Sequence, residues 1–133
     1  MRDLETARIL MTMAGKDLQV LEILSSVAHA PEEAFGFHAQ QAVEKTLKAW
    51  LAILGHEPPK THSLRSLIVS LEQNGIDVEA LWDLAELSPF AVQFRYESFD
   101  ELGADLDYQT ILTQVRELVT QVETLRTAVT KES

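Results

Sequence analysis

Residues 31 to 59, PEEAFGFHAQQAVEKTLKAWLAILGHEPP, decide how this chain folds. Pro31 suits a first helical turn, where its missing amide costs nothing, and Glu32 and Glu33 stand where carboxylates meet the exposed amides of a helix start. Behind them Phe35, Ala39, Ala42, Val43, Leu47, Trp50, Leu51 and Leu54 recur at helical spacing and furnish one broad apolar side. Gly55 accepts the left-handed conformation that closes a helix, and Pro58-Pro59 removes two amide donors in a row. The stretch predicts a helix from about residue 31 to 54 and a connector to about 61.

Working outward from that helix, residues 4 to 29 carry Leu4, Ala7, Leu10, Met11, Ala14, Leu18, Leu21, Ile23, Leu24 and Val27, mostly three or four apart. This is another helix, weakened locally by Gly15. Downstream, Thr61 or Ser63 caps a third, short helix built on Leu64, Leu67, Ile68 and Leu71 and stopped by Asn74-Gly75. Asp77 caps a fourth, with Val78, Leu81, Trp82, Leu84 and Ala85 behind it, and Ser88-Pro89 predicts a kink or a new helix. Residues 97 to 105, ESFDELGAD, read as a loop. The last segment sets Tyr108, Ile111, Val115, Leu118, Val122, Leu125 and Val129 at alternating steps of three and four. No run resembles a strand, so the expected architecture is all-α, a five-helix and mainly up-and-down antiparallel bundle, with residues 1–133 as one domain. The spacing of the last helix serves either packing onto its own bundle or a dimer seam.

Composition narrows the function. With 133 residues, 46% hydrophobic, the chain is long enough for one core, and its Gly and Pro are too few for a disordered or fibrous protein. Its 21 acidic and 11 basic side chains give a formal charge of −10. That charge opposes generic coating of DNA or RNA, whose phosphates demand positive charge. Cysteine is absent, which excludes disulfides, thiol nucleophiles and thiolate zinc sites and fits a reducing cytoplasm. The opening MRDLETARIL is too charged for a secretory signal, and no apolar stretch is long enough to span a bilayer. A soluble, cytoplasmic protein with no membrane partner is expected.

The charge is unevenly spread. Between Gly36 and Arg65 the charged residues are Glu44, Lys45, Lys48, Glu57, Lys60 and Arg65, a net of +2, which leaves −12 on the remainder. His38, His56 and His62 fall in the same interval. On the second helix His38, Gln41, Lys45 and Lys48 follow steps of three, four and three and share a face. Such a stripe is either a solvated surface, with Glu44 and Lys48 an i,i+4 pair of about 0.2–0.5 kcal/mol, or an anion site in which two lysines attract phosphate. In the second case His38 and Gln41 supply directional hydrogen bonds. His62 either caps a helix start locally or helps to hold a phosphate there. Arg95, beside Tyr96, is open to three uses: salt-bridge anchor, bidentate phosphate ligand or interface contact. Trp50, Trp82, Phe90, Phe94 and Tyr108 read as core or interface aromatics. No Gly-rich phosphate cradle, nucleophile elbow or HExxH helix is present, and the carboxylates show no metal-binding spacing. No cofactor or metal is expected.

The segment FHAQQAVEKTLKAWLAILGHEPPKTHSL, residues 37 to 64, followed by FRYE at 94 to 97, resembles the HEPN family, the higher eukaryotes and prokaryotes nucleotide-binding domain. The likeness covers nearly the whole chain and is most specific in the second helix and the THSL turn. It implies a five-helix bundle that often dimerises, is frequently encoded beside a small nucleotidyltransferase, and in many members belongs to toxin–antitoxin or other defence systems. The resemblance places Gln40, Gln41, Glu44, Lys45 and Lys48 on the signature helix, His62 in the tHsL turn and Arg95-Tyr96 at a late polar site. Ribonuclease members carry an arginine followed, after four to six residues, by a histidine. Here the positions that follow Arg95 at that spacing are Asp100, Glu101 and Leu102, and no histidine occurs after His62. The imidazole suited to proton transfer near neutral pH is therefore missing. The expectation is a non-catalytic, nucleotide-binding or partner-binding homodimer with a nucleotidyltransferase partner, whose nucleotide or phosphate site draws on His38, Gln41, Lys45, Lys48, His62, Arg95 and Tyr96. The alternatives are a divergent ribonuclease toxin using His38 or His62 with Arg95, and a purely structural interaction protein. RNA is disfavoured as a partner.

Overall fold

The computed structural model describes residues 2–91 and 106–132, and its first helix is set by a side chain that the apolar spacing does not show. Asp3 accepts hydrogen bonds from the Thr6 amide (3.0 Å) and hydroxyl (2.7 Å), satisfying one of the orphan donors at the start of α1, Leu4–Ser25. The same device recurs at the last helix, where Asp107 accepts from the Thr110 amide (3.1 Å) and hydroxyl (2.8 Å). The helix α1 stops short of the expected residue 29 because Ser25 and Ser26 turn their hydroxyls onto the carbonyls of Glu22 and Ile23. His29 then takes a positive φ of 61° before Pro31.

The second helix, α2, spans Glu32–Ile53, with Pro31 as the flanking residue rather than inside the first turn. It closes in a Schellman turn: Gly55, at φ 92°, donates to the Ala52 carbonyl, and the His56 amide donates to that of Leu51. The Asp3 amide donates to the same Ala52 carbonyl (3.0 Å). The start of α1 is thereby tied to the end of α2, and the two 22-residue helices run antiparallel. A second Schellman turn at Gly75 (φ 84°) ends α3, Leu64–Gln73, whose N-cap is Ser63 and not Thr61. Thr61 supports that cap by accepting from the Ser63 amide.

The fourth element departs from expectation. Instead of two pieces kinked at Ser88-Pro89, one 3-10 helix runs through Pro89 from Glu79 to Ala91, introduced by Asp77, which accepts from the Glu79 amide. Its buried residues are Leu81, Leu84, Leu87 and Phe90, each three apart. Three residues per turn place such side chains in line on one face, whereas an α-helix would fan them around the axis. The final helix, α4, is Tyr108–Glu132. The loop expected at 97–105 lies outside the described residues.

The described residues thus form an all-α fold of five helices, four α and one 3-10, consistent with a mainly antiparallel bundle. The centre is α2, which packs against α1, α3, the 3-10 helix and α4 together. It is consequently buried on nearly every side, and Phe35, Val43, Leu47 and Leu51 are sealed in the core. Phe35 stacks on Tyr108 with ring centres 4.0 Å apart, and the Tyr108 hydroxyl donates to the Ala30 carbonyl. At Gly36 the 3-10 helix comes so close that a Cβ would fall within 2.5 Å of Phe90 Cγ, so only glycine fits that contact.

Candidate functional site

Because α2 is enclosed, its polar stripe has no broad water-facing side to occupy. The stripe is divided instead between two carboxylates. Asp17, from the middle of α1, receives Lys45 Nζ on Oδ2 (2.6 Å) and His38 Nδ1 on Oδ1 (2.9 Å). A carboxylate accepts only, so the His38 ring donates from Nδ1. One turn further along α2, Glu44 receives Lys48 Nζ on Oε2 (3.1 Å), with Gln40 Nε2 and His62 Nδ1 both on Oε1 (2.9 Å each). Gln40, fully buried, also donates to the His62 carbonyl (3.3 Å), and Gln41 donates to the Gln40 side-chain oxygen (2.7 Å).

These contacts correct the view of Glu44 and Lys48 as an ordinary surface pair. The two lie at the expected i,i+4 spacing, but their side chains are only 6% and 16% exposed. Burial pushes the Glu44 carboxyl up, and the hydrogen bonds from Gln40, His62 and Lys48, with the charge of Lys48, overcome that effect and hold it below the usual glutamate range. Neither lysine is an uncommitted cation. Each is already matched by a carboxylate, although an ammonium keeps further N–H donors for a second partner.

The structure therefore places five of the seven residues proposed from the sequence in two neighbouring clusters that together form a polar band along α2: His38 and Lys45 on Asp17, and Lys48, His62 and, through Gln40, Gln41 on Glu44. Arg95 and Tyr96 lie outside the described residues. Asp17 was missed by the sequence reading, although it stands between Ala14 and Leu21, where a helical stripe runs into the core. The two ends of the band differ in access. The His38 side chain is 25% exposed against α1, whereas that of His62 is 71% exposed.

Beside Lys48 a cavity of about 580 Å³ opens between the first turns of α1 and the connector after α2. Asp3, Thr6, Lys48, His56, Glu57 and Lys60 line it, so it mixes both signs of charge. Among the described residues no cluster of three His, Asp or Glu side chains is placed to hold a metal ion, and no helix is long and apolar enough to cross a membrane.

These features define a helical bundle whose central helix is secured by buried ion pairs, one of whose carboxylates, Glu44, aligns an exposed histidine from the turn before α3. The HEPN domain family matches residues 7–125, and the chain belongs to that family. No curated protein and no solved structure matches it.

Proposed function

We propose that this HEPN protein is a non-catalytic binding protein: a cytoplasmic homodimer that takes a nucleotide phosphate at the His62 end of the α2 band and acts with a small nucleotidyltransferase in a toxin–antitoxin or related system. The observation that carries the reading is the alignment of His62 by Glu44. With Nδ1 committed to a buried carboxylate, an exposed ring offers its other nitrogen at a fixed angle, and Lys48 stands on the same carboxylate to supply charge. The missing histidine downstream of Arg95 favours binding over RNA cleavage. The test is an ATP titration followed by amide NMR. Saturable shifts centred on Lys48 and His62, and lost in His62→Ala, are expected. No saturable change at millimolar ATP defeats nucleotide binding and leaves the partner-binding half of the proposal, which co-purification with a co-expressed nucleotidyltransferase tests separately.

The same alignment favours one second reading. A ring that donates from Nδ1 to a carboxylate has Nε2 free to accept a proton, which is how a general base is prepared. In a divergent ribonuclease His62 would play that part with Arg95 steadying the phosphate. RNA cleavage by the purified protein, abolished in both His62→Ala and Arg95→Ala while the fold persists, is the result that would establish it.

A further inference from the structure

Two buried side-chain polar atoms have no hydrogen-bond partner among the described residues, Thr46 Oγ1 and Trp50 Nε1. They are not equivalent. A hydroxyl rotates and either donates or accepts, whereas an indole N–H only donates, along one direction. A buried donor left unpaired is costly, so an indole in this state calls for an acceptor from outside the protein. Trp50, on α2 and 5% exposed, forms part of the wall of a cavity of about 460 Å³. That volume falls within the range of small-ligand sites, about 300–1,000 Å³.

The rest of the wall is acidic and apolar. Asp77, Glu79, Ala80 and Leu81 come from the start of the 3-10 helix and the turn before it, and Gln121 comes from α4. Asp77 spends Oδ1 on the Glu79 amide and keeps Oδ2, and neither carboxylate meets a cation among the described residues. Next to the cavity Ala80, Asp83 and Glu86 stand three apart and so fall in line on the 3-10 helix, with Asp83 and Glu86 exposed and also unpaired among the described residues. From Glu72 to Ala91 there are five acids and no base. An anion is repelled here. The cavity therefore suits a ligand that brings positive charge to the carboxylates and a neutral acceptor to the indole.

We propose that this cavity binds a basic residue of a peptide segment. One arginine meets both demands: its guanidinium donates to Asp77 and Glu79, and its own peptide carbonyl accepts from Trp50 Nε1. The aliphatic stem lies along Ala80 and Leu81. Gln121 is exposed and its side chain makes no hydrogen bond among the described residues, so it is the part of the wall that shifts to admit the carbonyl. A second basic residue further along the segment meets Asp83 or Glu86, which favours a peptide over a free small cation. The cavity shares no lining residue with the Glu44 network, and the proposal is independent of phosphate binding.

The test titrates N-acetylarginine N-methylamide, one arginine with both of its peptide groups, into the full chain while NMR follows the indole N–H signals. The two tryptophans give two signals, which Trp82→Phe assigns. A saturable move of the Trp50 signal to lower field is expected, as its N–H gains an acceptor. Agmatine, which has the guanidinium without the carbonyl, is expected to bind about tenfold more weakly and to leave that signal in place. Glu79→Gln, at an exposed position where the fold is unaffected, should weaken the blocked arginine by about tenfold. Trp50→Phe, if it folds, should abolish the difference between the two probes. No saturable change at tens of millimolar, equal indole shifts with agmatine, or an affinity unchanged in Glu79→Gln overturns the proposal. So does a Trp50 signal that already stands at low field and exchanges slowly in the free protein, because an internal water then holds the donor.

Discussion

Asp17 and Glu44 hold their partners in the same way, one lysine and one histidine on each carboxylate, yet they differ in what surrounds them. Asp17 joins two helices, and both of its partners come from α2, so its cluster is an inter-helix tie sealed by α1. Glu44 sits on α2 itself and reaches the turn before α3 through His62, whose ring remains largely in water. A carboxylate whose partners are all enclosed can only stabilise. One that fixes an exposed ring also orients a group that a ligand can meet, which is why the Glu44 end is the better functional candidate.

The largest expected effect separates the two by stability. Removing one member of a buried ion pair leaves the other charge uncompensated, at a cost of about 3–5 kcal/mol. Glu44→Ala should approach that range, because it deprives Lys48, His62 and Gln40 of one shared acceptor. Asp17→Ala should cost less, about 1.5–3 kcal/mol, because it deprives two partners of an acceptor rather than three and leaves no fully buried amide without it. Urea unfolding with an unchanged m-value is the measurement. The reverse order would show that the inter-helix tie, and not the Glu44 network, secures α2.

The next effect concerns pH. The Glu44 carboxyl is held below its ordinary value in the fold, so the stabilisation is complete above about pH 4.3, the unfolded glutamate value. It is lost as pH falls through the lower folded value. Asp3 and Asp107, lowered by their bonds from Thr6 and Thr110, add to the same acid limb. In Glu44→Gln the fall in stability below about pH 4.3 should be shallower than in the wild type, whereas Asp17→Ala should keep the Glu44 contribution. Parallel acid limbs in wild type and Glu44→Gln would show that the network gives Glu44 no preference for its ionised form.

Much of this was legible before the structure. Apolar spacing found α1, α2, α3 and α4, because each buries a regular face, and the glycines at 55 and 75 marked the turns that end α2 and α3. The 3-10 helix is less legible: Leu81, Leu84, Leu87 and Phe90 stand three apart, but Pro89 signals a break in a helix of 3.6 residues per turn, whereas this tighter helix runs through it. The candidate site was half legible. The lysines and histidines were found by type and face, but their neutralisation was not, since it depends on Asp17 arriving from another helix and on how completely α2 is surrounded. No spacing within residues 37 to 64 carries that information. Arg95 and Tyr96 lie outside the described residues, so the comparison of the two ends of the band stands on the histidines alone.

The smallest expected effect bears most directly on which end is functional. His62→Ala removes an exposed donor and leaves Glu44 with Lys48 and Gln40, so stability should fall by no more than about 1 kcal/mol. His38→Ala removes a more enclosed ring, which also packs edge-on to Phe37, and should cost somewhat more, about 1–2 kcal/mol. Binding should order them the opposite way: ATP-dependent NMR shifts are expected to vanish in His62→Ala and persist in His38→Ala. If both variants bind alike, the exposed ring is a structural strut like its enclosed counterpart, and the difference in access between the two clusters has no functional meaning. If His38→Ala alone loses binding, the phosphate site lies between α1 and α2, and Asp17 rather than Glu44 is the carboxylate that prepares it.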